Sequence, residues 1–206
     1  MKKIAILLPY KEIYNNNLAG AASIWVKDYL SLSKLNYITD VYGSLKKNLK
    51  PLTKNFKNIN VDRTIFSKTQ KYINFFYNEY LKKKFSIIEI HNRPEYLNFL
   101  LKKNIDSKLI FIFHNNPLSM RGSKTVNERM NILNKTNKIL FVSKWTMNKF
   151  FEGLSIKNSN NCEILYPAIK KPKKLKKKKD IIVFTGKLNK SKGYDIFCEA
   201  AKKILN

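Results

Sequence analysis

The sequence predicts an α/β protein: a parallel sheet with helices on both faces, followed by the opening of a second such sheet. Three observations carry that expectation. Short, mainly apolar runs recur at Ile4 to Leu8, Ile87 to His91, Leu109 to Phe113 and Ile139 to Val142, as strands buried on both sides require. Segments with apolar residues three and four apart lie between them, so strand and helix alternate. A lysine-rich run at Lys170 to Lys179 then breaks the pattern, and a new apolar run begins at Ile181.

In chain order, Ile4 to Leu8 reads as the first strand. A polar loop from Pro9 to Gly20 precedes a helix with Trp25, Tyr29 and Leu32 along one face. Tyr37 to Gly43 fits a second strand, and a short strand is expected at Ile59 to Val61 inside a Lys/Asn-rich stretch. A long basic helix is expected from Ser67 to Lys84, then the strand at Ile87 and a short helix opened by Pro94, since proline is pre-organised for a first helical position. After the strand at Leu109, Thr125 and Glu128 have capping-box spacing. Ser143 follows the strand at Ile139 and caps a helix ended by Gly153, and Glu163 to Tyr166 is a last short strand.

The domain expectation is therefore 1–168 for the first sheet, 169–180 for an exposed linker, and 181–206 for one βα unit of a second domain. The linker assignment follows from eight lysines, one proline and one leucine between Lys170 and Lys179, where like charges repel and no apolar face exists. In the last segment Ile181 to Phe184 reads as a buried strand, and Ile196, Phe197, Ala200, Ala201 and Ile204 as a buried helix face. Between them lies a glycine turn with Lys187, Lys190 and Lys192, a basic loop where an anion would meet a helix N-terminus.

The net charge of +27 rests on lysine, 37 residues against four arginines, beside 25 asparagines and 23 isoleucines. That mixture follows AT-rich codon usage. Base readout and phosphate forks favour arginine, so nucleic acid is not the expected partner. Peripheral contact with an anionic membrane fits the charge better. The cysteines, Cys162 and Cys198, match no metal spacing, and a reduced cytoplasmic setting is expected. Met1-Lys2-Lys3 is followed by too short an apolar run for a secretion signal. Neither GxGxxG nor GxxxxGK[ST] is present, which removes the usual dinucleotide and P-loop signatures.

Ligands in open α/β sheets bind at strand carboxyl ends. Gly20 closes the loop after strand one, where a missing side chain permits close approach to a ligand. The chain's only histidines, His91 and His114, both end predicted strands. Arg93 and Asn115 stand beside them.

The order of Gly20-Ala21-Ala22, His91, His114, Phe141-Val142-Ser143-Lys144-Trp145, Tyr166-Pro167-Ala168-Ile169, Phe184-Thr185-Gly186-Lys187-Leu188 and Lys192-Gly193 resembles family 4 glycosyltransferases of the GT-B fold. The members that build lipopolysaccharide and other surface glycans are the most similar. The resemblance implies two Rossmann-like domains facing across a cleft, an acceptor-side N-terminal domain and a C-terminal domain that binds a nucleotide-sugar. It implies hexosyl-type transfer with retention to a glycan or lipid-linked acceptor, with no metal and no cofactor beyond the donor. His114 would match the histidine that meets the donor sugar at the reacting centre. Gly20 would match the glycine-rich loop near the donor, and Lys187 and Lys192 the basic pair on its diphosphate, where cations stabilise growing charge. His91, Arg93 and Asn115 are assigned to the acceptor side from strand-end position alone. Three departures stand out: alanines follow Gly20 where the family often has a second glycine, lysine replaces the frequent arginine at Lys187, and the family's paired-glutamate motif lies beyond Asn206. Little activity is expected of the 206 residues alone. The alternative is a non-enzymatic basic α/β module that binds anionic lipid or nucleic acid.

Overall fold

Seven parallel strands form one sheet, in the order β3-β2-β1-β4-β5-β6-β7. They are β1 (Ile4–Leu7), β2 (Thr39–Gly43), β3 (Phe56–Asn58), β4 (Ile87–His91), β5 (Lys108–Phe113), β6 (Lys138–Phe141) and β7 (Cys162–Ile164). The computed structural model describes residues 3–61, 67–168, 180–186, 188 and 190–205. Two compact units make up the chain, Met1–Lys170 and Lys171–Asn206.

The first unit is a Rossmann-like α/β domain. Its helices are α1 (Ala21–Leu32), α2 (Lys68–Lys83), α3 (Pro94–Lys102), α4 (Val126–Lys135) and α5 (Lys144–Phe151). Strand residues alternate between two cores, as the period of two dictates. Ile6, Leu8 and Val41 pack with Val26 and Leu30 of α1 on one face. Ala5, Leu7, Ile88, Ile90, Phe111 and Phe113 face the other core, with Tyr72 and Phe76 of α2 and Leu97 and Leu100 of α3. Local signals act where expected. Thr125 and Glu128 form both halves of the capping box on α4, and the Ser143 hydroxyl accepts from the Thr146 N–H at the start of α5.

One boundary moves. The strand expected at Ile59 to Val61 lies at Phe56–Asn58, because the ladder with β2 fixes its register through Val41↔Phe56 and Gly43↔Asn58.

The second unit departs further from expectation. Its helix forms, α6 (Tyr194–Leu205), entered through a short 3-10 turn at Lys190–Lys192 and Gly193 at φ +71°. Ile181 to Phe184 does not form a strand; a strand exists by its ladder, and none pairs with it among the described residues. Ile182 is 73% exposed, and on α6 Ile196 and Ile204 are 73% and 68% exposed, so the buried face expected there is uncovered within this unit. Of the linker expected at 169–180, residues 169–179 lie outside the described residues, as does Lys187.

Candidate functional site at the sheet switch point

Chain direction across the sheet reverses between β1 and β4: β2 and β3 extend to one side of β1, and β5, β6 and β7 to the other side of β4. The carboxyl ends of these two central strands border the crevice where such sheets bind ligands. Both histidines lie there.

Parity sets the pair. In β4, Ile88 and Ile90 enter the core on the α2 face, so Glu89 and His91 point to the α1 face. His91 is opposite Ile112 in the ladder with β5, and His114 follows two residues later with the same parity. Asn92, at φ 54°, turns the chain left-handed directly after β4, a conformation that asparagine tolerates well. Its side-chain oxygen accepts the backbone N–H groups of His114 and Asn115, each at 3.3 Å, and so fastens the β5 loop to the end of β4.

The side chains form a continuous hydrogen-bonded row. Tyr29 of α1 donates its hydroxyl to Glu89 Oε1 at 2.7 Å, and His91 Nε2 lies 2.6 Å from the same oxygen. His91 Nδ1 lies 2.8 Å from His114 Nε2. The two ring centroids are 5.1 Å apart with planes 22° from parallel, the arrangement of rings that meet edge to edge through nitrogen. Trp25, one turn before Tyr29, packs edge-on against His91 at 5.5 Å and His114 at 5.4 Å. Burial, and then His91, push the His114 pKa down to about 3; burial, and then the Glu89 charge, raise the Tyr29 phenol well above its usual value.

His114 is half-buried at the crevice. His91, assigned from sequence to the acceptor side, has no exposed surface and both ring nitrogens engaged, so it reaches a ligand only through His114. Asn115 is exposed beside it. Arg93 precedes Pro94 at the start of α3, with its guanidinium carbon 5.8 Å from the Tyr10 ring centroid. Its Nε is buried and has no hydrogen-bond partner among the described residues.

Gly20 is explained by an internal group. A Cβ there would run into the Glu12 carboxylate, 2.9 Å from its Cδ, and Glu12 Oε1 accepts the Ser23 N–H at 3.2 Å. The chain's own carboxylate therefore caps the N-terminus of α1 beside Gly20, the glycine that the resemblance would set near the donor. Lys192 is exposed in the second unit, in the turn before α6. Among the described residues no group of three His, Cys, Asp or Glu could hold a metal ion. Glu89 Oε1, both nitrogens of His91 and Nε2 of His114 are engaged within the row. Sequence reasoning missed Glu89 and treated Trp25 and Tyr29 only as packing; an acidic residue two before a histidine in an apolar strand was the available signal.

A further cavity of about 520 Å³ opens at the ends of β1, β2 and β3, with Tyr10, Lys11, Ser44, Lys46 and Lys68 on its wall. No described helix is long and apolar enough to cross a membrane.

No family model matches the chain, and no curated protein matches it. Solved structures do. Sucrose-phosphate synthase from Thermosynechococcus elongatus superposes with a TM-score of 0.54 at 9% identity, over 80% of this chain and 48% of that one. A shorter chain of that synthase matches at 8% identity and a TM-score of 0.54, over 80% of this chain and 88% of its own length. HepE of Anabaena, solved in complex with UDP and glucose, gives a TM-score of 0.54 at 11% identity, over 81% of this chain and 45% of that one. The chain thus spans about half the length of the full synthase and of HepE. Both neighbours are GT-B glycosyltransferases. What the likeness shows is the fold: this chain carries the Rossmann-like α/β architecture found in sugar-transferring enzymes of the GT-B class.

Proposed function

We propose that this chain is the acceptor-side portion of a glycosyltransferase that moves a sugar from a nucleotide donor to a glycan or lipid-linked acceptor with retention, in surface polysaccharide or lipopolysaccharide synthesis. The observation that carries the proposal is the His91–His114 pair in the crevice at the β1/β4 switch point, on a fold shared with glycosyltransferases. His114 is the residue assigned to the donor sugar. Arg93 and Asn115 are assigned to the acceptor, and Lys187 and Lys192 of the second unit to the donor diphosphate. Gly20 serves the donor only if Glu12 withdraws, since the carboxylate occupies that place.

Titration of the full chain with UDP-glucose, GDP-mannose and ADP-glucose, followed through the imidazole signals of its two histidines, tests this. Weak shifts in the millimolar range are expected, since these residues carry only the opening of the donor side; tight binding of one donor would contradict the acceptor-side reading, and no shift across the panel at millimolar concentration would refute the placing of His114 at the donor sugar. The +27 charge supports a second reading, a basic module held on anionic lipid or nucleic acid. Vesicle and oligonucleotide pull-downs across a salt series separate the two, because purely electrostatic binding falls steeply with salt.

A further inference from the structure

We propose that Glu89 and His91 are positioning residues that fix which nitrogen of His114 carries its hydrogen, leaving His114 Nδ1 bare to accept a hydrogen bond from a ligand hydroxyl. The ligand class at this point is then a neutral polyol such as a sugar ring, and not a phosphate or carboxylate oxygen. The nature of the ligand rests on the sugar-transfer proposal; the state of the rings does not.

Glu89 sets the direction of the row. A carboxylate only accepts, so His91 Nε2, 2.6 Å from Glu89 Oε1, must carry a hydrogen. His91 has no exposed surface, and a neutral imidazole has one donor and one acceptor. With the donor spent on Glu89, its Nδ1 is the acceptor. The atom 2.8 Å away, His114 Nε2, therefore donates. A neutral His114 with hydrogen on Nε2 has a lone pair on Nδ1, and no described side chain engages that atom. The shallow 22° angle between the ring planes suits an in-plane N–H···N bond.

Two further groups hold the row in place. The Tyr29 hydroxyl also donates to Glu89 Oε1, which orients the carboxylate from the α1 side. Trp25 lies edge-on against both rings and shields them from water. Desolvation disfavours an imidazolium in such a place, in keeping with the lowered His114 pKa. A carboxylate behind a histidine is a general means of selecting its tautomer. Here the selection passes through a second ring. A bare nitrogen attracts O–H and repels an anionic oxygen, so the row discriminates by chemistry as well as by shape.

The chain has two histidines, so long-range nitrogen–proton spectra of the labelled full chain contain two imidazole rings, assigned through His91→Gln and His114→Gln. At pH 7 each ring is expected as a single neutral tautomer with hydrogen on Nε2. Hydrogen on His114 Nδ1, or a doubly protonated His91, overturns the inference. Glu89→Leu, which leaves His91 Nε2 without its acceptor, is expected to convert the His114 signals to a mixture of tautomers; an unchanged spectrum removes the positioning role of Glu89. With UDP-glucose, and with methyl glucoside at high concentration, the His114 Nδ1 signal is expected to shift toward a hydrogen-bonded acceptor while the hydrogen stays on Nε2. Inorganic phosphate should leave that signal in place, and a phosphate-induced shift contradicts hydroxyl selection. If no nucleotide-sugar binds, the sugar-transfer proposal falls and the tautomer result stands; if His114 carries its hydrogen on Nδ1, the present inference falls whichever donors bind.

Discussion

Replacing Glu89 with leucine should cost the folded domain about 2–4 kcal/mol. Glu89 Oε1 receives two short hydrogen bonds, from Tyr29 at 2.7 Å and from His91 at 2.6 Å. Hydrogen bonds to a charged group contribute about 1.5–3 kcal/mol each, so their loss totals about 3–6 kcal/mol. Leucine at a site only 15% exposed returns about 1–2 kcal/mol through apolar burial. The remaining loss is large against a domain stability of about 5–15 kcal/mol. Urea unfolding followed by circular dichroism reads it directly. With a slope of about 1–3 kcal/mol per molar, the midpoint should fall by roughly 1–2 M. Glu89→Gln keeps an acceptor oxygen without the charge and should lie between native and Glu89→Leu. A leucine variant within about 0.5 kcal/mol of native, inside the range of an ordinary surface substitution, would mean that the Tyr29–Glu89–His91 row does not stabilise the fold.

Other outcomes follow from the same structure. His114 protonates near pH 3 in the folded chain, whereas an unfolded histidine does so near 6.5, so acid favours the unfolded state in that window. Stability should fall with a slope approaching 1.4 kcal/mol per pH unit below about pH 6.5; relative to His114→Gln, the native chain should lose about 2 kcal/mol between pH 7 and pH 5, and parallel pH curves would contradict this. Burial pushes the Cys162 thiol up to about 12, while Cys198 is half-buried on α6, so limiting iodoacetamide should label Cys198 first. Equal labelling rates by mass spectrometry would be inconsistent with that burial. Arg129, 2% exposed, donates to the carbonyls of Ser123, Lys124 and Glu152 at 3.3, 2.7 and 2.5 Å. Arg129→Met should destabilise by about 2–4 kcal/mol in the same urea assay, with Arg129→Lys intermediate; a neutral methionine would deny these bonds a net contribution.

The features legible in the sequence were those whose cause is local or periodic. Buried strands announce themselves by uninterrupted apolar runs, and the Thr125 and Ser143 caps by short-range spacing. Strand β3 was displaced because a Lys/Asn-rich stretch has little periodicity of its own, and its position comes from pairing with Val41 to Gly43. Ile181 to Phe184 has the composition of a strand, but composition supplies no ladder partner. The site was half visible. Strand ends located both histidines, yet their contact depends on which strands are neighbours and on the parity of positions 91, 112 and 114 across them. Glu89 looked like an interruption in an apolar run, and Tyr29 like packing, because their bond spans 60 residues. Gly20 was legible as a place of close approach, but not the identity of Glu12 as the group approaching.

The pairing of β1 with β4, from Ile4↔Ile87 to Leu7↔Ile90, is a seam between two halves of the sheet. Trp25 and Tyr29 belong to the half built before α2, and Glu89, His91 and His114 to the half built after it. No segment confined to one side can assemble the row. Closing the seam joins residues more than 80 positions apart, the kind of long-range contact that slows folding. Packing of Trp25 and Tyr29 against the two rings and Glu89 should therefore be a late event, with the rings hydrated while either half has only its local structure. A chain stalled at that stage would contain both histidines without the α1 wall of the site.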